Sequence, residues 1–212
     1  MNDSHSRGLL RLRHLHEVTE AKGEEMDQER QRFDAMRIAG PTRAVSAFNL
    51  FQTPDHVADD MVTASGPLDG LRILEPSAGL GRLYRAIRRR SQSAEITLVE
   101  MAPQCAAELY RETQGDERAR LIQADFLDCD SQRLGGMFDA VVMNPPFKMG
   151  TDLRHIDHAF ELLKPGGILV SLCFAGSRQS ARFGDIWNRL PAESFRSEGT
   201  RANVACVVLR KA

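Results

Sequence analysis

Apolar and polar positions fall along this chain in two alternating rhythms. Short apolar runs stand at residues 71–74, 96–100, 120–124, 138–143 and 168–173, with the length and composition of strands. The run 138–143 is apolar almost throughout, as a strand buried on both faces should be. Between the runs the apolar positions recur at helical spacing. Val57, Ala58, Met61 and Val62 form one face, entered at Thr53 (N-cap) and Pro54 (first helical position) and stopped at Gly66-Pro67. Further helices are predicted over 82–90 and 103–113. A fourth, with Thr151-Asp152 as its cap, carries Ile156, Ala159, Phe160 and Leu163 on one face. A fifth, over 181–190, carries Phe183, Ile186, Trp187 and Leu190 and is stopped by Pro191. Lys164-Pro165-Gly166-Gly167 reads as a turn, and 192–196 with 203–210 as a closing antiparallel pair.

Strands alternating with helices predict an α/β fold: a doubly wound, mostly parallel seven-stranded sheet with an antiparallel final strand. Ligands then belong at the C-terminal ends of the strands. Residues 1–40 carry a thin stripe (Leu9, Leu12, Leu15, Val18, Met26, Phe33, Met36) and predict an N-terminal helical extension. Gly40-Pro41 ends it, leaving 41–212 as the main domain.

Composition narrows the class. A chain of 212 residues with 42% hydrophobic and 27% charged residues has the makings of one globular domain. No apolar run approaches a membrane span, and the N-terminus lacks the apolar region of a secretory signal. Four scattered cysteines without a CxxC pair predict reduced thiols, no metal site and a cytoplasmic location. Net charge is −1, which argues against tight non-specific binding to nucleic acid. Four of the 28 basic residues are lysine and the other 24 arginine. The basic helix with Arg82, Arg85, Arg88, Arg89 and Arg90 reads as a solvated face. His155 and His158, three residues apart, read as surface polarity rather than a metal pair.

The residues able to carry chemistry stand at the strand ends. The first strand reaches Glu75 and passes through Pro76-Ser77-Ala78-Gly79-Leu80-Gly81 into a helix, a loop whose glycines allow close backbone approach to a nucleotide-like ligand. Steric need in a strand-to-helix turn explains the same glycines. The second strand ends at Glu100-Met101, where an acid is placed to hold ribose hydroxyls or to sit solvated. Asp125-Phe126 ends the third, where Asp125 is able to cap the next turn.

The fourth strand delivers Asn144-Pro145-Pro146-Phe147. An exocyclic amine is a poor nucleophile because its lone pair is delocalised. A catalyst can instead accept both N–H hydrogens and turn the lone pair outward. The Asn144 side-chain oxygen and the Pro145 carbonyl supply two acceptors, and Pro145 and Pro146 stiffen their placement. Phe147 offers a flat face for a base, worth about 1–3 kcal/mol, and Lys148 a rim contact to phosphate. Asn-Pro-Pro is also an ordinary loop sequence.

The glycine loop and the Asn-Pro-Pro-Phe tetrapeptide, in that order, resemble class I S-adenosylmethionine-dependent methyltransferases of the branch that methylates exocyclic amino nitrogens, typified by adenine-N6 enzymes. The resemblance runs from about residue 48 to 210 and implies a Rossmann-like fold with S-adenosyl-L-methionine as cofactor. It implies that Thr53 and Pro54 lie against the methionine end, and that Glu75, Ser77, Ala78, Gly79 and Gly81 form the cofactor loop. Glu100 and Met101 would meet the ribose, Asp125 the adenine amino group, and Phe126 or Leu127 the ring, with Asn144 shared between cofactor and target. DNA adenine is the expected target, flipped from its stack if in duplex. Structured RNA follows, then a protein glutamine amide, and an inactive cofactor-binding subunit is the non-enzyme alternative. The chain leaves no room for a target-recognition domain, so a protein partner supplying recognition is a further expectation.

Overall fold

In the computed structural model, which describes residues 51–212, seven strands and five helices alternate along the chain. They are α1 (Asp55–Ala64), β1 (Arg72–Glu75), α2 (Arg82–Arg90), β2 (Glu95–Glu100), α3 (Pro103–Thr113), β3 (Ala119–Gln123), β4 (Phe138–Met143), α4 (Thr151–Glu161), β5 (Leu163–Phe174), α5 (Ser177–Phe183), β6 (Trp187–Arg189) and β7 (Val204–Arg210). The extension expected over residues 1–40 lies outside the described residues. The strand order is β3-β2-β1-β4-β5-β7-β6. The pairs from β3 through β5 are parallel, and β7 runs antiparallel to both β5 and β6. This is the Rossmann-like, doubly wound sheet with an antiparallel final strand.

The two-residue period of the strands divides the core. Ile73, Ala140, Val142, Ile168, Val170 and Leu172 face one cluster, which holds the inner faces of α1 and α2. Leu74, Val141, Met143, Leu169 and Cys173 face the other, with Ile156, Ala159 and Phe183 from α4 and α5. Burial of each such side chain is worth about 1.5–3 kcal/mol, so a one-residue register slip in a central strand would exchange the two faces. From β1 the sheet grows outward through β2 and β3, and then on the other side through β4 and β5. The crevice between the loops after β1 and β4 is therefore the topological switch point.

Four local expectations are corrected. The predicted helix over 181–190 stops at Phe183; Gly184 (φ 54°, ψ −124°) breaks it, and Trp187–Arg189 is the edge strand on β7. Residues 192–196 hold turns rather than a strand. Thr151-Asp152 does not cap α4: left-handed Gly150 stands at the cap position without a side-chain cap bond, and the Asp152 side chain is fully buried. Likewise Pro54 occupies the cap position of α1, and Thr53 makes no capping bond. All four cysteines are buried and unpaired. No helix among the described residues is long and apolar enough to cross a membrane.

Candidate active site

The loop from β1 to α2 is held from below by the end of β2. Gly79 N–H donates to Glu100 Oε2 at 2.7 Å, and Ala102 N–H donates to Oε1 at 2.7 Å. Ala78 N–H donates to Val99 O at 3.0 Å. Gly79 and Gly81 have φ of 54° and 77°, a region costly for residues with a Cβ. At Gly81 a Cβ would also come within 2.8 Å of Leu109 Cδ1. Glu75 lies beneath the loop, 1% exposed, with the Tyr84 backbone N–H reaching its carboxylate. Its Oε2 is buried without a hydrogen-bond partner. Burial pushes this carboxyl well above its ordinary range, and the nearby Glu100 adds to the rise.

Across the switch point, Asn144 spends its amide nitrogen on the segment before α1. Nδ2 donates to Phe51 O at 2.9 Å and to Thr53 Oγ1 at 3.0 Å, which accounts for the buried, non-capping Thr53. Both donor hydrogens are used, and Oδ1 is buried with no partner. Phe51, Gln52, Thr53, Glu75, the loop from Ser77 to Leu80 and Asn144 line one cavity of about 30 Å³. That volume suits about one or two water molecules. Phe51 stacks on buried Phe195 at 4.8 Å and meets the Phe147 ring edge-on at 5.3 Å.

Two predicted residues already have partners of their own. Asp125 caps a short 3-10 turn, its Oδ1 accepting from Leu127 N–H at 3.0 Å. Phe126 is 2% exposed and lies against His155 and His158, ring centroids 5.5 and 4.8 Å away. Leu127 is half-buried. Met101 and Lys148 are exposed, and Met149 beside Lys148 has a positive φ of 55°. The two histidines are not surface polarity: His155 is buried and pushed down to about 4 by that burial, and His158 Nε2 bonds Cys129 O at 2.8 Å. Among the described residues no group of three His, Cys, Asp or Glu is placed to hold a metal.

Read from sequence alone, Gln52 has no role of its own and Arg82 lies on a solvated helix face. Arg82 Nε donates to Gln52 Oε1 at 3.1 Å, and Nη1 meets Asp55 at 2.9 Å, tying α2 to the segment that walls the cavity. The basic face of α2 is largely neutralised, with Arg85 on Glu112, Arg88 on Asp116 and Arg89 on Asp59. A polar residue between Phe51 and Thr53 was the available signal for Gln52; Arg82 gave none beyond its place after the glycines.

Comparison with known proteins bears on the family and the fold. An rRNA N(6)-adenosine-methyltransferase of Caenorhabditis elegans is 25% identical over 126 residues, 56% of this chain and 59% of the relative. A type II methyltransferase of Paramecium bursaria Chlorella virus XZ-6E is 31% identical over 107 residues, 50% of this chain and 26% of the relative. The match thus spans less than two thirds of either protein. The methyltransferase subunit of a type I restriction-modification system from Streptococcus thermophilus shares the fold, with a TM-score of 0.65 at 22% identity over 78% of this chain and 46% of that one. The methyltransferase small domain model matches residues 61–180, more than half of the chain, from α1 through the crevice to α5. The chain therefore belongs to the methyltransferase small domain family, class I methyltransferases that use S-adenosylmethionine as methyl donor.

Proposed function

We propose that this chain is an S-adenosylmethionine-dependent N-methyltransferase acting on the N6 amino group of adenine in nucleic acid. The observation that carries the reading is Asn144: both of its amide hydrogens are engaged, and its buried oxygen is left open at the end of β4. A buried acceptor without a donor costs about 1–3 kcal/mol, a cost that an amine hydrogen from a bound target would relieve.

The residues fit the donor molecule. Glu75 Oε2, buried beside the cavity without a partner, suits the ammonium of the methionine end, and Thr53 walls the same cavity. The glycine loop keeps Cβ atoms out of its approach. By the family resemblance Glu100 and Met101 would meet the ribose, and Asp125 the adenine amino group with Leu127 against the ring. Both Glu100 oxygens already accept loop amides, and Asp125 Oδ1 accepts from Leu127 N–H. When bound, S-adenosylmethionine supplies an electrophilic methyl group. The chain's own residues orient the acceptor. Asn144 Oδ1 and the Pro145 carbonyl take the two amine hydrogens, the nitrogen turns its lone pair outward, and Phe147 stacks on the base. The surplus proton leaves to water.

DNA is the target suggested by the tetrapeptide together with the Glu-Pro-Ser-Ala-Gly form of the loop. The rRNA N(6)-adenosine relative favours RNA as the second reading. Purified full-length protein with radiolabelled S-adenosylmethionine is offered duplex DNA, single-stranded DNA, total RNA and cell protein. Label recovered as N6-methyladenine supports the proposal and assigns the polymer; label in glutamine overturns it. Asn144→Ala is expected to lower kcat about 100-fold or more while the cofactor Kd moves only a few-fold. Lost cofactor affinity with normal turnover at saturation would contradict the assignment.

A further inference from the structure

At the end of the sheet where the candidate site lies, β5 outruns β4. β4 stops at Met143, opposite Ser171, while β5 continues to Phe174. Ala175 N–H donates to Asn203 O at 2.8 Å, and Lys211 N–H to Gly167 O at 3.0 Å. Odd-numbered residues of β5 therefore bond β7, and even-numbered ones face β4. The β4–β5 pairing ends at Met143–Ser171; continued three residues further, the same register would set Phe174 opposite Pro146. A parallel ladder continued to that level would send the Phe174 N–H to the Pro145 carbonyl. It would also turn the Leu172 carbonyl toward the nitrogen of residue 145, a proline with no hydrogen to give.

Both β5 groups are satisfied from elsewhere. Ser171 Oγ donates to Leu172 O at 2.7 Å. Asp152 Oδ2 accepts the Phe174 N–H at 3.0 Å and Gln179 Nε2 at 2.8 Å. Asp152 stands in the first turn of α4, where an acid commonly caps its own helix, yet it makes no cap bond. It is 0% exposed, and its Oδ1 has no partner. Gly150 and Met149, at φ 78° and 55°, set the entry of α4 that turns it inward. Burying a carboxyl with one oxygen unsatisfied is unfavourable, and the bonds it makes in return run through its other oxygen to β5 and α5.

We propose that Asp152 is a positioning residue: by taking the Phe174 amide it keeps the Pro145 carbonyl out of the sheet and open to the target amine. The inference rests on the amine-methylation reading above. Without Asp152 the Phe174 amide turns to the Pro145 carbonyl, and one of the two acceptors is lost to the ladder.

The test uses steady-state kinetics with the methylated nucleic acid and full-length protein. Asp152→Leu is expected to lower kcat about 10- to 100-fold with the cofactor Kd within about two-fold. Asp152→Asn, whose side-chain oxygen still accepts the amide, is expected to restore kcat to within about three-fold of wild type. Wild-type kcat in Asp152→Leu, or an equal loss in Asp152→Asn, overturns the proposal. Should Asp152→Leu fail to fold, an ester in place of the 173–174 peptide bond removes the amide hydrogen directly. Retained kcat in the ester protein supports the proposal, and a loss beyond about ten-fold overturns it. A wild-type protein that methylates no amine would instead sink the reading beneath it.

Discussion

Glu75 is the residue whose burial is hardest to explain by folding alone. Its carboxyl lies fully inside, with one oxygen unpartnered and burial favouring the protonated form. A carboxyl whose folded pKa exceeds its unfolded value destabilises the free protein. The penalty is absent below the ordinary value near 4.5 and grows as pH rises toward the raised value. Glu75→Gln is therefore expected to raise the Tm at neutral pH by a few degrees while weakening the cofactor Kd about ten-fold or more. Paired thermal melts and binding titrations check this; an unchanged Tm would show that burial is not the governing cause. Glu75 was legible as a candidate from its place at a strand end. Its orphaned oxygen was not, because that depends on how α2 and the glycine loop close over the strand end.

At the scale of the element, Gly184 decides more than its neighbours do. Phe183, Ile186, Trp187 and Leu190 recur at helical spacing, yet only Phe183 is deeply buried and Ile186 is 52% exposed. The backbone at Gly184 (φ 54°, ψ −124°) ends α5 and lets Trp187–Arg189 pair with β7. Gly184→Ala is expected to cost about 1–2 kcal/mol in chemical denaturation, although no atom stands within 4 Å of the added Cβ. A neutral result would mean that the chain reaches the edge strand without this conformation. α2, α3 and β4 were readable because local pattern and packing agree there: Gly81 and Pro103 mark the helix starts, and β4 is apolar almost throughout. The edge strand was not, since a three-residue strand draws its stability from the pairing partner rather than from its own pattern.

For the whole molecule, acid response is a sum of opposing sites. His155, pushed down to about 4 by burial, binds its proton more weakly folded than unfolded. Its contribution is present above about 6.5 and is lost as pH falls toward about 4. Glu75 works oppositely over an overlapping window. Asp116 and Asp139 are pushed up by burial but held below their ordinary value by stronger hydrogen bonding, Asp116 from Tyr84 and Arg88, Asp139 from Lys164 and the Arg72 backbone. Their contribution is present above about 3.8 and is lost as pH falls further. Wild-type Tm is thus expected to vary little between about pH 4.5 and 6.5, and to fall below about pH 4. Glu75→Gln should uncover a decline with acidification between about pH 6.5 and 4, carried by His155. A flat profile in that variant would remove the histidine from the account.

The alternation of apolar runs and helical faces was enough to determine the doubly wound sheet, because burying both faces of a parallel strand demands that pattern. The glycine loop and Asn-Pro-Pro-Phe likewise marked the strand ends where ligands belong. Only the tertiary structure decided which atoms there remain available. Asn144 has two donors and one acceptor in any conformation, but it is Thr53 and Phe51, some ninety residues earlier, that consume the donors and leave the oxygen. Asp152 reads as a helix cap in sequence, and it becomes a partner of β5 only because α4 packs against the sheet with that side chain inward. Hydrogen-bond valence is local chemistry; which of it is left unspent depends on contacts between segments far apart in the chain.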